Sequence, residues 1–83
     1  MKITVKAGGM FAKNLPASRS GNQAEVELDE AATPADVLRA MDLSADGSYL
    51  IVHNGESVPK SERASRRLAE GDKLAIMPPL RGG

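Results

Sequence analysis

The chain has 83 residues, 11 basic and 11 acidic side chains, a formal net charge of zero and no cysteine. One small domain of this size buries roughly 60% of the surface of its unfolded chain, which leaves no core to spare for a deep active-site cavity. Balanced charge and an aromatic share of 2% argue against nucleic acid as a partner, and the lack of cysteine excludes disulfides, thiolate nucleophiles and thiolate metal sites.

The first strand opens the chain: Ile3 and Val5 alternate with Lys2, Thr4 and Lys6, one face for the core and one for water. This start has no signal-peptide core, and no apolar run nears the ~18 residues of a membrane span, so the expected location is the cytoplasm. Residues 8–22 are rich in glycine and small polar residues and read as a long loop, with Met10, Phe11 and Leu15 pinning it to the body. A loop of this length is unusual unless it has a task. Gly8-Gly9 is no phosphate loop, because the spacing, the lysine and the following helix are missing.

Ala24, Val26 and Leu28 alternate with Glu25, Glu27 and Asp29 as a second strand, antiparallel to the first. Thr33 is placed as an N-cap, Pro34 suits the first helical position, and Asp36 suits the helix dipole. Val37, Leu38 and Met41 supply the apolar stripe of a helix over 34–41. Tyr49-Leu50-Ile51-Val52-His53 is a near-continuous apolar strand, Asn54-Gly55 a tight turn, and Glu56-Ser57-Val58 a short return strand. Residues 60–70 are charged and irregular, anchored by Leu68. The last strand is Lys73-Leu74-Ala75-Ile76-Met77, ended by Pro78-Pro79.

These elements predict an α+β fold in which one main helix covers one face of a mixed sheet of four or five strands. The expected core is Ile3, Val5, Val26, Leu28, Val37, Leu38, Met41, Leu50, Val52, Leu68, Leu74 and Ile76. The order suits the β-grasp, ubiquitin-like architecture. The whole chain, 1–83, reads as one domain with a flexible tail over 78–83.

That tail, Pro78-Pro79-Leu80-Arg81-Gly82-Gly83, carries the most chemical information. Two prolines favour an extended conformation, and six extended residues reach roughly 20 Å. Gly82 and Gly83 have no Cβ and can thread a channel too narrow for other residues. The product is a thin probe tipped by the Gly83 carboxylate. A free carboxylate is a poor acyl donor and must be activated, typically as an acyl-adenylate; if the capturing nucleophile delivers sulfur, the tip becomes a thiocarboxylate.

The remaining candidates are plainer. His53, the single histidine, builds neither a metal site nor a triad alone and reads as a strand-end surface residue. Glu25, Glu27, Asp29 and Glu30 read as a solvated face, and no metal site is expected. Arg63, Arg66 and Arg67 are candidates to grip an acidic partner rim. Met77, Leu80 and Phe11 are expected to form an apolar docking patch, with Arg66 and Arg67 beside it. No set of residues amounts to a catalytic constellation.

Several segments, in order along nearly the whole chain, resemble one family. They are Thr33-Pro34-Ala35-Asp36-Val37-Leu38, Asn54-Gly55-Glu56, Leu68-Ala69-Glu70-Gly71-Asp72-Lys73-Leu74 and Met77-Pro78-Pro79-Leu80-Arg81-Gly82-Gly83. The family is that of the ubiquitin-like sulfur carriers (ThiS/MoaD), which contains the small subunit of molybdopterin synthase and the thiamine-pathway carrier. The long first loop with Phe11-Ala12 and the Pro-Pro pair are similar to the molybdopterin branch. The resemblance implies a non-catalytic carrier with no bound cofactor. A ubiquitin-activating-type adenylyltransferase (MoeB/ThiF-like) would use ATP to activate Gly83, and the sulfur would be carried covalently as a thiocarboxylate. In the molybdopterin case it also implies a large synthase subunit (MoaE-like) that receives the tail: Pro78 and Pro79 stiffen it, Leu80 and Arg81 position it, and Gly82 allows passage. Arg81 departs from the small residue more usual in that branch, and Leu80-Arg81-Gly82-Gly83 resembles the end of ubiquitin. A protein modifier conjugated to lysines is therefore the alternative, as is a sulfur carrier for thiamine, cysteine or transfer RNA.

Overall fold

The computed structural model describes residues 1–78, apart from the side chain of Met10. Five strands form one sheet in the order β2-β1-β5-β3-β4: β1 (Lys2–Ala7), β2 (Gln23–Glu27), β3 (Leu50–His53), β4 (Glu56–Ser57) and β5 (Lys73–Met77). β1 pairs antiparallel with β2 and parallel with β5; β5 pairs antiparallel with β3, and β3 with β4. The helix α1 (Pro34–Ala40) lies between β2 and β3 in the chain. This is the expected β-grasp fold, a mixed sheet with one main helix.

Local chemistry accounts for α1. Asp36 Oδ2 accepts hydrogen bonds from the backbone N–H of Thr33 at 2.9 Å and from its hydroxyl at 3.2 Å. Pro34 stands at the first helical position, where its missing N–H costs nothing. The Ala35 N–H, otherwise an orphan of the first turn, donates to the Arg63 carbonyl at 2.9 Å. Val37 and Leu38 are fully buried.

The core collects Ile3 and Val5 from β1, Leu74 and Ile76 from β5, and Val37, Leu38 and Met41 from the helical segment, with Leu68 beneath. Val26 and Leu28 pack against it half-buried. One expectation reverses. Ile51 is the β3 residue that enters the core, while Leu50 and Val52 lie half-buried on the opposite face. An apolar run at both parities carries no phase of its own; the pairing of Ile51 with Ile76 sets it.

Two further segments are more ordered than expected. The long first loop folds into a 3-10 helix over Gly9–Asn14, and Phe11 and Leu15 are buried as predicted. The ring of Phe11 meets that of Tyr49 edge-on, centroids 5.0 Å apart. Residues 60–70 contain a short 3-10 turn at Lys60–Glu62 and are stitched to the helix entry by the Leu68 N–H to the Ala32 carbonyl, 3.0 Å.

Candidate functional site

β5 is the last described element, and one further residue, Pro78, is described beyond it. The parallel pairing of β1 with β5 closes with Ala7 opposite Ile76. One step further, the Gly8 N–H donates to the Ile76 carbonyl at 2.9 Å. Met77 then faces solvent at 39% exposure, and Pro78 is exposed. Gly83, Gly82, Arg81, Leu80 and Pro79, the positions that carry the proposed chemistry, lie outside the described residues. Pro78 is the root of the tail.

Beside this exit, the sheet face away from α1 is apolar on one side. Cross-strand pairing sets Leu50 opposite Met77 and Val52 opposite Ala75. Ala75 also neighbours Lys6 of β1, and Lys73 neighbours Thr4. The surface is thus a stripe of Leu50, Val52, Ala75 and Met77 bordered by two lysines. Beyond the lysines, Gln23, Glu25 and Glu27 of the edge strand β2 follow, exposed. Pockets on the described surface are open grooves, one of them lined by Lys6, Val52, Lys73 and Ala75 on this face.

Of the docking patch expected from sequence, Met77 is exposed on this face, whereas Phe11, at 8% exposure, has its ring in the core against Tyr49. Arg66 is tied within its own domain, with Nη1 2.7 Å from Glu56 Oε1 and Nη2 3.2 Å from Glu62 Oε1. Arg67 is exposed. Arg63, expected to grip a partner, is 4% exposed. Its Nη1 donates to the carbonyls of Ala45 and Gly47 at 3.0 and 2.7 Å, and its Nη2 to that of Tyr49 at 2.9 Å. Its guanidinium carbon stands 5.7 Å from the centre of the Tyr49 ring. Leu50, Val52 and Ala75, which share this face with Met77, were not among the expected patch residues. Their signal was present: a strand apolar at both parities has a second apolar face.

A polar cluster lies at the opposite end of β3. His53 Nε2 is 2.6 Å from Asp72 Oδ2, and Arg66 Nη1 is 3.2 Å from His53 Nδ1. Arginine only donates, so Nδ1 accepts and Nε2 carries the proton. Asp72 Oδ1 accepts from Asn54 Nδ2 at 3.0 Å, and Oδ2 also accepts from the Ala69 N–H at 2.8 Å. Burial pushes the Asp72 carboxyl upward, but the hydrogen bonds from Asn54, His53 and Ala69 outweigh it and hold the group below the usual carboxylate range. The two side chains are 11% and 15% exposed. His53 is therefore mostly buried and not the surface residue expected from sequence, and both its ring nitrogens are engaged. Among the described residues no group of carboxylates, histidines or cysteines is arranged to hold a metal ion, and no helix is long and apolar enough to cross a membrane.

The family model of the ThiS family matches residues 11–83, which includes the tail through Gly82 and Gly83. The chain belongs to the ThiS family. Its fold is similar to that of SAMP1 from Haloferax volcanii (24% identity, 100% of both chains, TM-score 0.69). It is also similar to the thiamine biosynthesis protein ThiS from Geobacter metallireducens (18% identity, 100% of both chains, TM-score 0.67). A third similar structure is a chain of the complex of subunits 1 and 2 of the molybdopterin-converting factor from Helicobacter pylori (20% identity, 100% of both chains, TM-score 0.58). A search of the curated proteins returned no match. The ThiS-family chain is thus a small carrier-type domain of ubiquitin-like fold.

Proposed function

We propose that this ThiS-family protein carries sulfur as a thiocarboxylate on Gly83 and does no catalysis of its own. The observation that carries this reading is that the family match runs through to the last glycine, on a body whose final strand delivers the chain to solvent beside an apolar face. A ubiquitin-activating-type adenylyltransferase supplies the activation. A Gly83 carboxylate oxygen attacks the α-phosphorus of ATP and pyrophosphate leaves. Hydrosulfide from the sulfur donor then attacks the acyl carbonyl, AMP leaves with the displaced oxygen, a proton is lost, and the tip is a thiocarboxylate.

The pathway we favour is molybdopterin synthesis, with a large synthase subunit receiving the tail. Its support is the likeness to a chain from the complex of two molybdopterin-converting-factor subunits and the Pro78-Pro79 pair ahead of the tail. A second reading has its own support: similarity to SAMP1 and the Leu80-Arg81-Gly82-Gly83 end favour a modifier joined to lysines through Gly83.

Intact mass separates the two. Incubated with its activating enzyme, ATP and a sulfur donor, the carrier gains the mass of one oxygen-to-sulfur exchange at Gly83, and deletion of Gly82 and Gly83 abolishes the gain. Conjugate ladders on a denaturing gel without that gain would favour the modifier. Neither product, with a truncation silent in cells, would refute both.

A further inference from the structure

We infer that Gly8 and Gly9, at the start of the long first loop, are positioning residues that aim the C-terminal tail by giving Pro78 a seat on bare backbone. The inference rests on the reading of the tail as the working arm, and it assigns the loop a task.

The seat is formed where β1 and β5 part. The hydrogen bond from the Gly8 N–H to the Ile76 carbonyl holds the two chains together one residue beyond β1. The first chain then turns into its 3-10 helix at Gly9, whose φ of +57° lies in the left-handed region that favours glycine. A Cβ on Gly9 would stand 3.1 Å from Pro78 Cγ and 3.7 Å from Pro78 Cδ. A Cβ on Gly8 would stand 3.5 Å from Met77 Cγ and 3.9 Å from Pro78 Cδ. The first distance is inside ordinary carbon–carbon contact of about 3.5–4.0 Å. The pyrrolidine ring therefore rests against a surface that exists because side chains are missing.

The other glycines with positive φ differ. Those at Gly21, Gly55 and Gly71 have no described atom within 4 Å of an added Cβ; they serve turn geometry alone. The seat is also fixed in place. The 3-10 helix that carries it is nailed to the body by buried Phe11 and Leu15 and by Asn14 Nδ2 donating to the Met41 carbonyl at 2.9 Å. Proline contributes its own locked φ. Two constraints, a rigid residue and a rigid seat, thus set the heading with which the chain leaves the body.

The heading matters because of leverage. Five further residues, fully extended, span roughly 17 Å, and a tilt of about 20° at their root moves the tip by roughly 6 Å. Small misplacements of a reacting group are costly in rate. A methyl on Gly9 meets Pro78 alone and leaves Leu50, Val52, Ala75 and Met77 of the docking face unaltered, so its effect belongs to kcat and not to KM.

The test uses two variants and a control. Gly8 sits in extended backbone, φ −88° and ψ 160°, so Gly8→Ile adds bulk toward Met77 and Pro78 without backbone strain. Gly9→Ala places a methyl in the seat itself. Gly21→Ala imposes left-handed strain, φ +64°, without touching the exit. Amide spectra first establish that each variant folds, and Gly9→Ala replaces Gly8→Ile if the latter does not. The wild type should show nuclear Overhauser contacts between the Gly9 Hα protons and the Pro78 ring, lost in the seat variants. In ATP–pyrophosphate exchange with the activating adenylyltransferase, kcat should fall about tenfold in both seat variants, with KM within about twofold in Gly9→Ala, which does not touch Met77, and with Gly21→Ala unchanged. Absent Gly9–Pro78 contacts in the wild type, an unchanged kcat in a folded variant that has lost them, or a rise in KM alone would overturn the inference. A wild type that no adenylyltransferase activates would instead overturn the proposed function.

Discussion

His53, Asp72 and Arg66 form a hydrogen-bonded chain in which both ring nitrogens of His53 and both carboxylate oxygens of Asp72 have partners. Asp72 accepts from His53, Asn54 and the Ala69 N–H, and His53 passes the contact on to Arg66. The backbone N–H of Lys73 adds a bond to Asn54 Oδ1 at 2.8 Å, which fixes the start of β5 against the end of β3. Because the Asp72 carboxyl is held below its usual range, its contribution to stability is present above the unfolded value of about 3.9 and is lost as pH falls toward the folded value. Urea midpoints should therefore drop between pH 5 and pH 2.5 by more in the wild type than in Asp72→Asn. Equal slopes over that range would show that the carboxylate is not the group being titrated.

Arg63 acts at the scale of elements. It sits after β4, yet its carbonyl takes the Ala35 N–H of α1 and its guanidinium takes three carbonyls of the α1–β3 connection. Nε has no hydrogen-bond partner among the described residues, so the charge is compensated by carbonyl dipoles and by the Tyr49 ring. One side chain thereby ties the helix entry, the connection and the segment before β5 into a single layer. Arg63→Leu keeps the stem's apolar contacts but strands the carbonyls, and should cost about 2–4 kcal/mol. Chemical denaturation measures this; a loss under about 1 kcal/mol would mean that water replaces the guanidinium at no penalty. Nothing in Ser61-Glu62-Arg63-Ala64 distinguishes this arginine from Arg66 or Arg67, since burial comes from partners 14 to 18 residues away in the chain.

At the scale of the molecule, the sheet has two different faces. The inner one is closed by α1 and the 3-10 segment. The outer one runs from acidic β2 through the lysines of β1 and β5 to the apolar stripe of Leu50, Val52, Ala75 and Met77. A partner suited to it presents an apolar patch with carboxylates on the lysine side. Val52→Asp should weaken binding to the proposed activating enzyme about tenfold or more, because a charge in a desolvated contact is costly. Its effect on the thermal midpoint should be slight, since the residue is only half-buried. Titration calorimetry with the enzyme and a melting curve decide together, and undiminished affinity would move the interface elsewhere.

Period and punctuation alone determined much of this protein. The alternation of Ile3 and Val5, the Thr33-Pro34-Asp36 helix start, the Asn54-Gly55 turn and the proline stop after Met77 each act over a few residues, where chain chemistry decides the outcome. The Leu80-Arg81-Gly82-Gly83 run is equally legible, because residue identity is a covalent fact. Tertiary structure decided what depends on distant partners: that Ile51 and not Val52 enters the core, that Phe11 and Arg63 turn inward, and that His53 is held between Asp72 and Arg66. It also decided that Gly9 meets Pro78, two residues at opposite ends of the chain brought together by the parallel pairing of the first and last strands. Which face a side chain takes is set by pairing across the sheet, and no local pattern contains that pairing.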